Sequence, residues 1–232
     1  MKIATWNVNG IRAREAQLCE WLERDRPDVV CLQELKAEPA QIPARCSHAD
    51  YHVYWHGMRA YSGVSIHVSK AVHDALPEFT HPPFDMETRI VAVRLANLVI
   101  ASAYVPNGGK DYSAKIDFLT ALAAWATALH EQGRDVILCG DLNVAHTDID
   151  VHPRERRPGV IGQRPLPRIR LEERRSQGLG LAALRELGQR DRDVVQVEAP
   201  AAVVEVDRGR DVAGEQRVLV VQVAVDQPRG AR

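Results

Sequence analysis

From residue 164 to residue 232 the chain has no phenylalanine, tyrosine, tryptophan, histidine, lysine, methionine, cysteine, asparagine or threonine. A globular core is filled by bulky aromatic and aliphatic side chains, so a stretch this long without aromatics is not composed like one. The missing residues have mostly A/T-containing codons. Those that remain, chiefly Arg, Val, Gly, Gln, Asp, Glu, Ala, Leu and Pro, have mostly G/C-rich ones. The bias fits a GC-rich gene translated out of frame; a natural but biased, partly disordered extension is the blander account. Residues 1–163 and 164–232 are therefore read separately. Other scarcities apply to the whole chain. No apolar run is long enough to span a bilayer, which argues against a membrane protein. A formal net charge of −1 excludes the global basic signature of a nucleic-acid binder but allows a local basic patch. The four cysteines, Cys19, Cys31, Cys46 and Cys139, lack metal-ligand spacing and read as buried free thiols. Met1-Lys2-Ile3 runs straight into a strand with no signal-peptide pattern, so a cytoplasmic location is expected.

What is present is concentrated in the first 163 residues, a length that suits one α/β domain. Val136-Ile137-Leu138-Cys139 is a short β-branched run that stops in Gly140-Asp141-Leu142-Asn143. Such a run reads as a buried strand. Asp141 and Asn143, two apart on an extended chain, emerge on the same side of its end. The device recurs. Ile3-Ala4-Thr5-Trp6 runs into Asn7, and Val29-Val30-Cys31-Leu32 runs into Gln33-Glu34. Three buried strands each deliver a carboxylate or carboxamide. Between them, a helix is expected over about 13–25, strands at 2–7 and 28–32, and a strand pair at 53–55 and 63–68. A hairpin around Ala96-Asn97 joins 90–95 to 98–104. A second helix, with Ser113 as its N-cap, runs to about residue 131, and a strand covers 135–140. The mixture of a helix-separated pair with hairpins predicts packed sheets with helices outside.

Hydrolysing a phosphodiester needs a divalent cation, a base to orient water, and donors that hold the phosphate. Mg²⁺ takes few protein ligands, typically a carboxylate and a carboxamide, and keeps waters. Glu34 and Asn7 fit that role. Alone, Glu34 reads as an exposed loop carboxylate and Asn7 as a turn-former before Gly10. Their placement at strand ends alongside Asp141 and Asn143 favours the functional reading. Tyr104 precedes the turn Val105-Pro106-Asn107-Gly108, which puts its hydroxyl at the same sheet edge. Alone, it is a half-buried strand tyrosine, and Asn107 a turn residue. Lys115, one turn into the next helix, is in reach of a phosphate or else lies on a solvated face.

Trp6-Asn7-Val8-Asn9-Gly10, Leu32-Gln33-Glu34-Leu35-Lys36, Ser62-Gly63-Val64, Tyr104-Val105-Pro106-Asn107-Gly108 and Gly140-Asp141-Leu142-Asn143 occur in this order. Together they resemble the exonuclease III family of the endonuclease/exonuclease/phosphatase superfamily. Residues 145–163, with Thr147-Asp148-Ile149-Asp150-Val151, resemble its continuation. Asp85-Met86-Glu87-Thr88-Arg89 resembles its acidic segment, with Thr88 where Gly is usual. The resemblance implies a four-layer α/β sandwich: two packed mixed β-sheets flanked by helices. It implies a Mg²⁺- or Mn²⁺-dependent DNA repair nuclease that cleaves 5′ to abasic sites or removes nucleotides from 3′ ends of double-stranded DNA, as a monomer. By the match, Asn7, Glu34, Asp141 and Asn143 are metal or phosphate ligands and Asp141 deprotonates the attacking water. Asn143 positions that water and Tyr104 contacts the phosphate. Asn107 and Lys115 are added as DNA-phosphate contacts.

The C-terminal part departs from the family. Its Arg-Ile-Asp-Tyr-like strand and terminal Ser-Asp-His segment are absent. All nine histidines lie at or before His152, and neither His146 nor His152 matches the family's catalytic His. Loss of one transition-state phosphate contact costs about 10²–10³ in rate. The missing half also supplies strands, so an apolar face and a sheet edge are expected to lie uncovered, with poor solubility. Val-rich pieces at 194–197, 203–206 and 218–225 are strand candidates, but they lack the aromatics and most of the bulky aliphatics that fill a core. Two rival functions follow: a non-catalytic DNA- or metal-binding remnant, and another phosphodiesterase of the same superfamily, acting on phosphoinositides or sphingolipids.

Overall fold

The computed structural model describes residues 1–144, 202–205 and 218–222. Strand β1 (Lys2–Asn7) leads through a 3₁₀ turn (Ile11–Arg14) and helix α1 (Glu15–Asp25) to β2 (Val29–Gln33). The two strands pair in parallel, Ile3 opposite Val29 and Asn7 opposite Gln33, so the ends of both reach the same level. α1 stops at Arg26, whose left-handed backbone (φ 41°) turns the chain while its N–H caps the Leu22 carbonyl. Strands β3 (Tyr51–Met58) and β4 (Tyr61–Ser69) form a hairpin with a bulge between His56 and Met58. Then come β5 (Glu78–Thr80), β6 (Ile90–Leu95), β7 (Leu98–Tyr104), α2 (Tyr112–Glu131) and β8 (Asp135–Asp141). The described tail adds β9 (Ala202–Glu205) and β10 (Val218–Gln222).

Two mixed five-stranded sheets result, in the orders β3-β4-β2-β1-β9 and β10-β8-β7-β6-β5. They pack face to face through Ile3, Val29, Cys31, Val64, Ile66 and Val68 on one side. Val91, Val93, Leu95, Ile100, Ile137 and Cys139 meet them from the other. The opposite face of the first sheet (Ala4, Trp6, Val30, Leu32) is covered by Leu18, Trp21 and Leu22 of α1. The opposite face of the second (Ala101, Val136, Leu138) is covered by Phe118, Leu119 and Leu122 of α2. The order is helix, sheet, sheet, helix. Both faces of each central strand are buried, which is why their sequences are continuous apolar runs rather than alternating ones. Cys31 and Cys139 face each other across the central layer. Burial, and then the neighbouring Cys139 thiol, push the Cys31 thiol well above its ordinary value.

A polar seam crosses that layer just behind the strand ends. The buried Gln33 amide donates to Thr5 Oγ1 (3.1 Å) and to Ser102 Oγ (3.1 Å), and Ser102 donates to the Leu32 carbonyl (3.1 Å). Hydrogen bonds buried away from water need good geometry, so the seam fixes the register of β1, β2 and β7 against one another. Gly140 serves the same end. Its φ is 143°, and a Cβ there would collide with the Ala103 carbonyl oxygen, so only glycine lets β8 lie this close to β7 before Asp141.

The hairpin at Ala96-Asn97 and the expected strands agree with the structure, with β3 and β4 longer than expected, while the short β5 was not expected. The helix cap does not. α2 starts at Tyr112, and the extended Asp111, not Ser113, accepts the Ala114 N–H (3.0 Å). Ser113 lies inside the first turn and turns its hydroxyl to Asp117 (3.5 Å). In the tail, β9 pairs antiparallel with β1 (Lys2 opposite Glu205) and β10 pairs parallel with β8 (Val218 opposite Val136). One edge of each sheet, where a single bare edge was expected, thus carries a strand, and both strands are drawn from Val-rich pieces. The piece at 194–197 lies outside the described residues, as do Thr147-Asp148-Ile149-Asp150-Val151, His146 and His152.

Candidate active site

Asn7 closes β1, Glu34 follows β2, Tyr104 closes β7 and Asp141 closes β8, so both sheets contribute at their touching ends. Parallel pairing within each sheet makes this geometry inevitable: β1 and β2 end together, as do β7 and β8, with Tyr104 opposite Asp141. The Asn7 amide joins the halves. Its Nδ2 donates to Glu34 Oε1 (2.9 Å) and to Asp141 Oδ2 (3.1 Å), while its Oδ1 accepts the Asn9 N–H (3.0 Å). One carboxamide therefore spans two carboxylates from different sheets. Glu34 and Asn143 both sit in the left-handed region (φ 56° and 52°), the backbone kink that turns each side chain out of its strand line.

Asp141 is 3% exposed. Burial raises its carboxyl to about 6, against the Asn143 N–H and the Asn7 amide, which pull it down. Glu34 goes the other way. Burial would raise it, but hydrogen bonds from Asn7, Lys36 and Tyr104 outweigh that and hold it below the usual carboxylate range. Lys36 Nζ lies 2.8 Å from Glu34 Oε2. The pair of carboxylates is thus split, one firmly ionised and one poised to take a proton near neutrality. Burial, with the Glu34 and Asp141 charges, drives the Tyr104 phenol well above its ordinary value, so it remains a proton donor.

Asn143 is fixed three ways: its N–H donates to Asp141 Oδ1 (3.0 Å), its Nδ2 to the Val105 carbonyl (2.8 Å), and its carbonyl accepts from Lys115 Nζ (2.6 Å). Lys115 is 1% exposed, neither a solvated helix face nor open to a ligand. Its ammonium is spent on the Asn143 carbonyl and, more distantly, the Asn107 carbonyl (3.4 Å), tying together the two loops that follow β7 and β8. The exposed Asn107 side chain accepts the Gly109 N–H (2.9 Å), closing its own turn. The structure therefore gathers Asn7, Glu34, Tyr104, Asp141 and Asn143 at one spot, and puts Lys115 beneath it.

Two features escaped sequence reasoning. Arg89, buried, lays its guanidinium over the rings of Tyr104 (4.9 Å) and Tyr61 (5.2 Å) and donates to the Tyr104 carbonyl (3.3 Å). Its signal in the sequence is the acidic segment Asp85-Met86-Glu87-Thr88-Arg89, which by itself gives Arg89 no role. The second is an open cleft of about 600 Å³ lined by Gly10, Arg12, Ala13, Lys36 and Ala60. It borders the site through Lys36 and carries two cations. Spacing along the chain gives no sign that Arg12 and Lys36 converge.

Fold and cluster together define a class: an α/β sandwich with oxygen-rich polar side chains converging where two sheets meet. The chain belongs to the Endonuclease/Exonuclease/phosphatase family, whose model matches residues 4–197. Its relatives put it in the exonuclease III and AP endonuclease branch. It is 33% identical to an exodeoxyribonuclease of Bacillus subtilis over 160 residues, 65% of this chain and 62% of that protein. The structure of an AP endonuclease from Archaeoglobus fulgidus superposes with a TM-score of 0.56 at 32% identity, covering 66% of this chain and 61% of that one. A 3′ phosphatase from Neisseria bound to a product DNA hairpin superposes with a TM-score of 0.56 at 28% identity, covering 65% of this chain and 60% of that one. The chain thus spans about three-fifths of the length of the relatives it matches.

Proposed function

We propose that this chain hydrolyses phosphodiester or phosphomonoester bonds of double-stranded DNA, at abasic sites or 3′ ends, with Mg²⁺ or Mn²⁺. The observation that carries the reading is the Asn7 carboxamide held between the Glu34 and Asp141 carboxylates, one from each sheet. An all-oxygen donor set of two carboxylates and carboxamides suits a hard dication and not a thiolate-seeking metal. The buried Asp141, raised by desolvation, also fits a group that gains from a nearby cation. Asn7, Glu34, Asp141 and Asn143 would hold it, and the cation would supply charge neutralisation at the phosphate. The remaining steps fall to the chain. Asp141 takes the proton of the attacking water, because its carboxyl is matched to neutral pH. Asn143, anchored to Asp141 and Val105, positions that water. Tyr104, protonated and braced by Arg89, donates to a phosphate oxygen. Arg12 and Lys36, lining the adjoining cleft, meet the phosphate backbone.

The product DNA hairpin bound to the similar Neisseria protein favours this reading over lipid headgroups. The test is cleavage of a fluorescent abasic-site duplex in Mg²⁺, with Asp141→Asn and EDTA as controls. Cleavage by the wild-type chain that both controls abolish is expected. No cleavage with retained duplex binding would instead establish a non-catalytic remnant.

A further inference from the structure

Away from that site, three metal-ligating side chains converge between the sheets' outer parts. His56 is on β3 of the first sheet, and His81 and Asp85 lie in the connection from β5 to β6 of the second. One ligand atom from each, His56 Nε2, a His81 ring nitrogen and a carboxylate oxygen of Asp85, lie within 4.8 Å of one another. His56 Nε2 is 2.5 Å and His81 Nδ1 4.0 Å from the same Asp85 oxygen, Oδ2. Atoms sharing a tetrahedral ion at zinc–nitrogen and zinc–oxygen distances stand about 3–3.5 Å apart. Side-chain rotations of about an ångström would bring these three there.

The partners of these side chains are already arranged as ligands need. Asp85 Oδ1 is held by the N–H groups of Arg89 (2.9 Å) and Ile90 (3.1 Å), which leaves Oδ2 turned to the histidines. His81 Nε2 is bonded to the Tyr54 hydroxyl (2.8 Å), which leaves Nδ1 on the side of Asp85. Tyr54 is itself fixed by stacking on Phe79 at 5.2 Å. Outer hydrogen bonds of this kind set ring orientation in metal sites. The two imidazoles, 4.1 Å apart between centroids, have no other shared carboxylate among the described residues.

We propose that His56, His81 and Asp85 bind a zinc-type transition-metal dication that ties β3 of one sheet to the β5–β6 connection of the other. Two imidazoles and one carboxylate select such a metal over Mg²⁺, which avoids nitrogen. The site is separate from the all-oxygen cluster and does not depend on its being catalytic. Because Asp85 also holds the Arg89 N–H, the metal steadies the turn that aims Arg89 at Tyr104.

The test is Co²⁺ titration of the full chain in excess Mg²⁺, followed by Zn²⁺ displacement. One equivalent is expected, with the visible ligand-field band of a four-coordinate nitrogen-ligated cobalt, bleached by Zn²⁺. Tyr54→Phe should weaken binding by roughly 10–100-fold, the cost of losing an outer partner. His56→Gln and His81→Gln should weaken it further, while Glu34→Gln leaves it unchanged. Absence of the band in the wild-type chain overturns the proposal without any variant. So does binding that survives both histidine changes or disappears in Glu34→Gln. If the histidine variants misfold, the wild-type band and the Tyr54→Phe shift decide.

Discussion

At the scale of single residues, the energetics centre on Asp141. Its folded carboxyl stands at about 6 against an ordinary value of 3.8, because burial outweighs the hydrogen bonds from Asn143 and Asn7. The folded state therefore binds this proton more tightly than the unfolded chain. That contribution to stability is complete below pH 3.8 and fades as pH rises through about 6. At neutral pH, without metal, the buried charge costs about 2–3 kcal/mol. Asp141→Asn is expected to raise the thermal midpoint in EDTA at pH 7.5 and to leave it nearly unchanged at pH 4, by calorimetry, while abolishing cleavage. In the active chain the acidic limb of kcat/KM should lie at about 6 or lower, since a cation favours the ionised form. A limb well above 6 would take the base role away from Asp141. Of these residues, Asn7, Glu34, Tyr104, Asp141 and Asn143 were legible as strand-end polar groups, because the end of a continuous apolar run says where a buried strand stops. Lys115 was not, since the helical periodicity around it does not reveal which loops lie over its ammonium.

Elements succeed here by arriving at the same level. The β1–α1–β2 unit and the β7–α2–β8 unit each put two strand ends side by side, and the Thr5–Gln33–Ser102 seam locks one pair against the other. Gln33→Leu keeps the volume but strips Thr5 and Ser102 of a buried partner, at a cost of about 1–3 kcal/mol. Urea denaturation should show that loss, and cleavage should fall with it, because Glu34 is the next residue. Unchanged stability would mean that packing alone sets the register. Strand positions were readable because β-branched runs are bounded by Gly, Asn and Pro. The start of α2 was misjudged by two residues because Asp111 and Ser113 both suit a cap, and only the extended backbone at Asp111 decides between them.

For the whole molecule, the question is what covers the β1 and β8 edges, since the chain matches only about three-fifths of each relative. β9 and β10 lie on β1 and β8, one edge of each sheet. Composition could not foretell this, since a tail without aromatics carries no core signal, and Val-rich pieces pair with whatever edge is open. Truncation to residues 1–163 removes both strands and leaves those backbone groups unpaired. The truncated chain should aggregate more at a given concentration by light scattering and unfold over a broader range than the full chain. Identical behaviour would show that the tail strands contribute nothing to the sandwich.

The facing thiols of Cys31 and Cys139 give the sandwich an internal clock. Both are buried, and Cys31 is held protonated by its surroundings, so neither can attack a reagent until the sheets part. Since β10 lies directly beside Cys139, through Val221, the rate at which a thiol-reactive dye labels that position times how often β10 lets go.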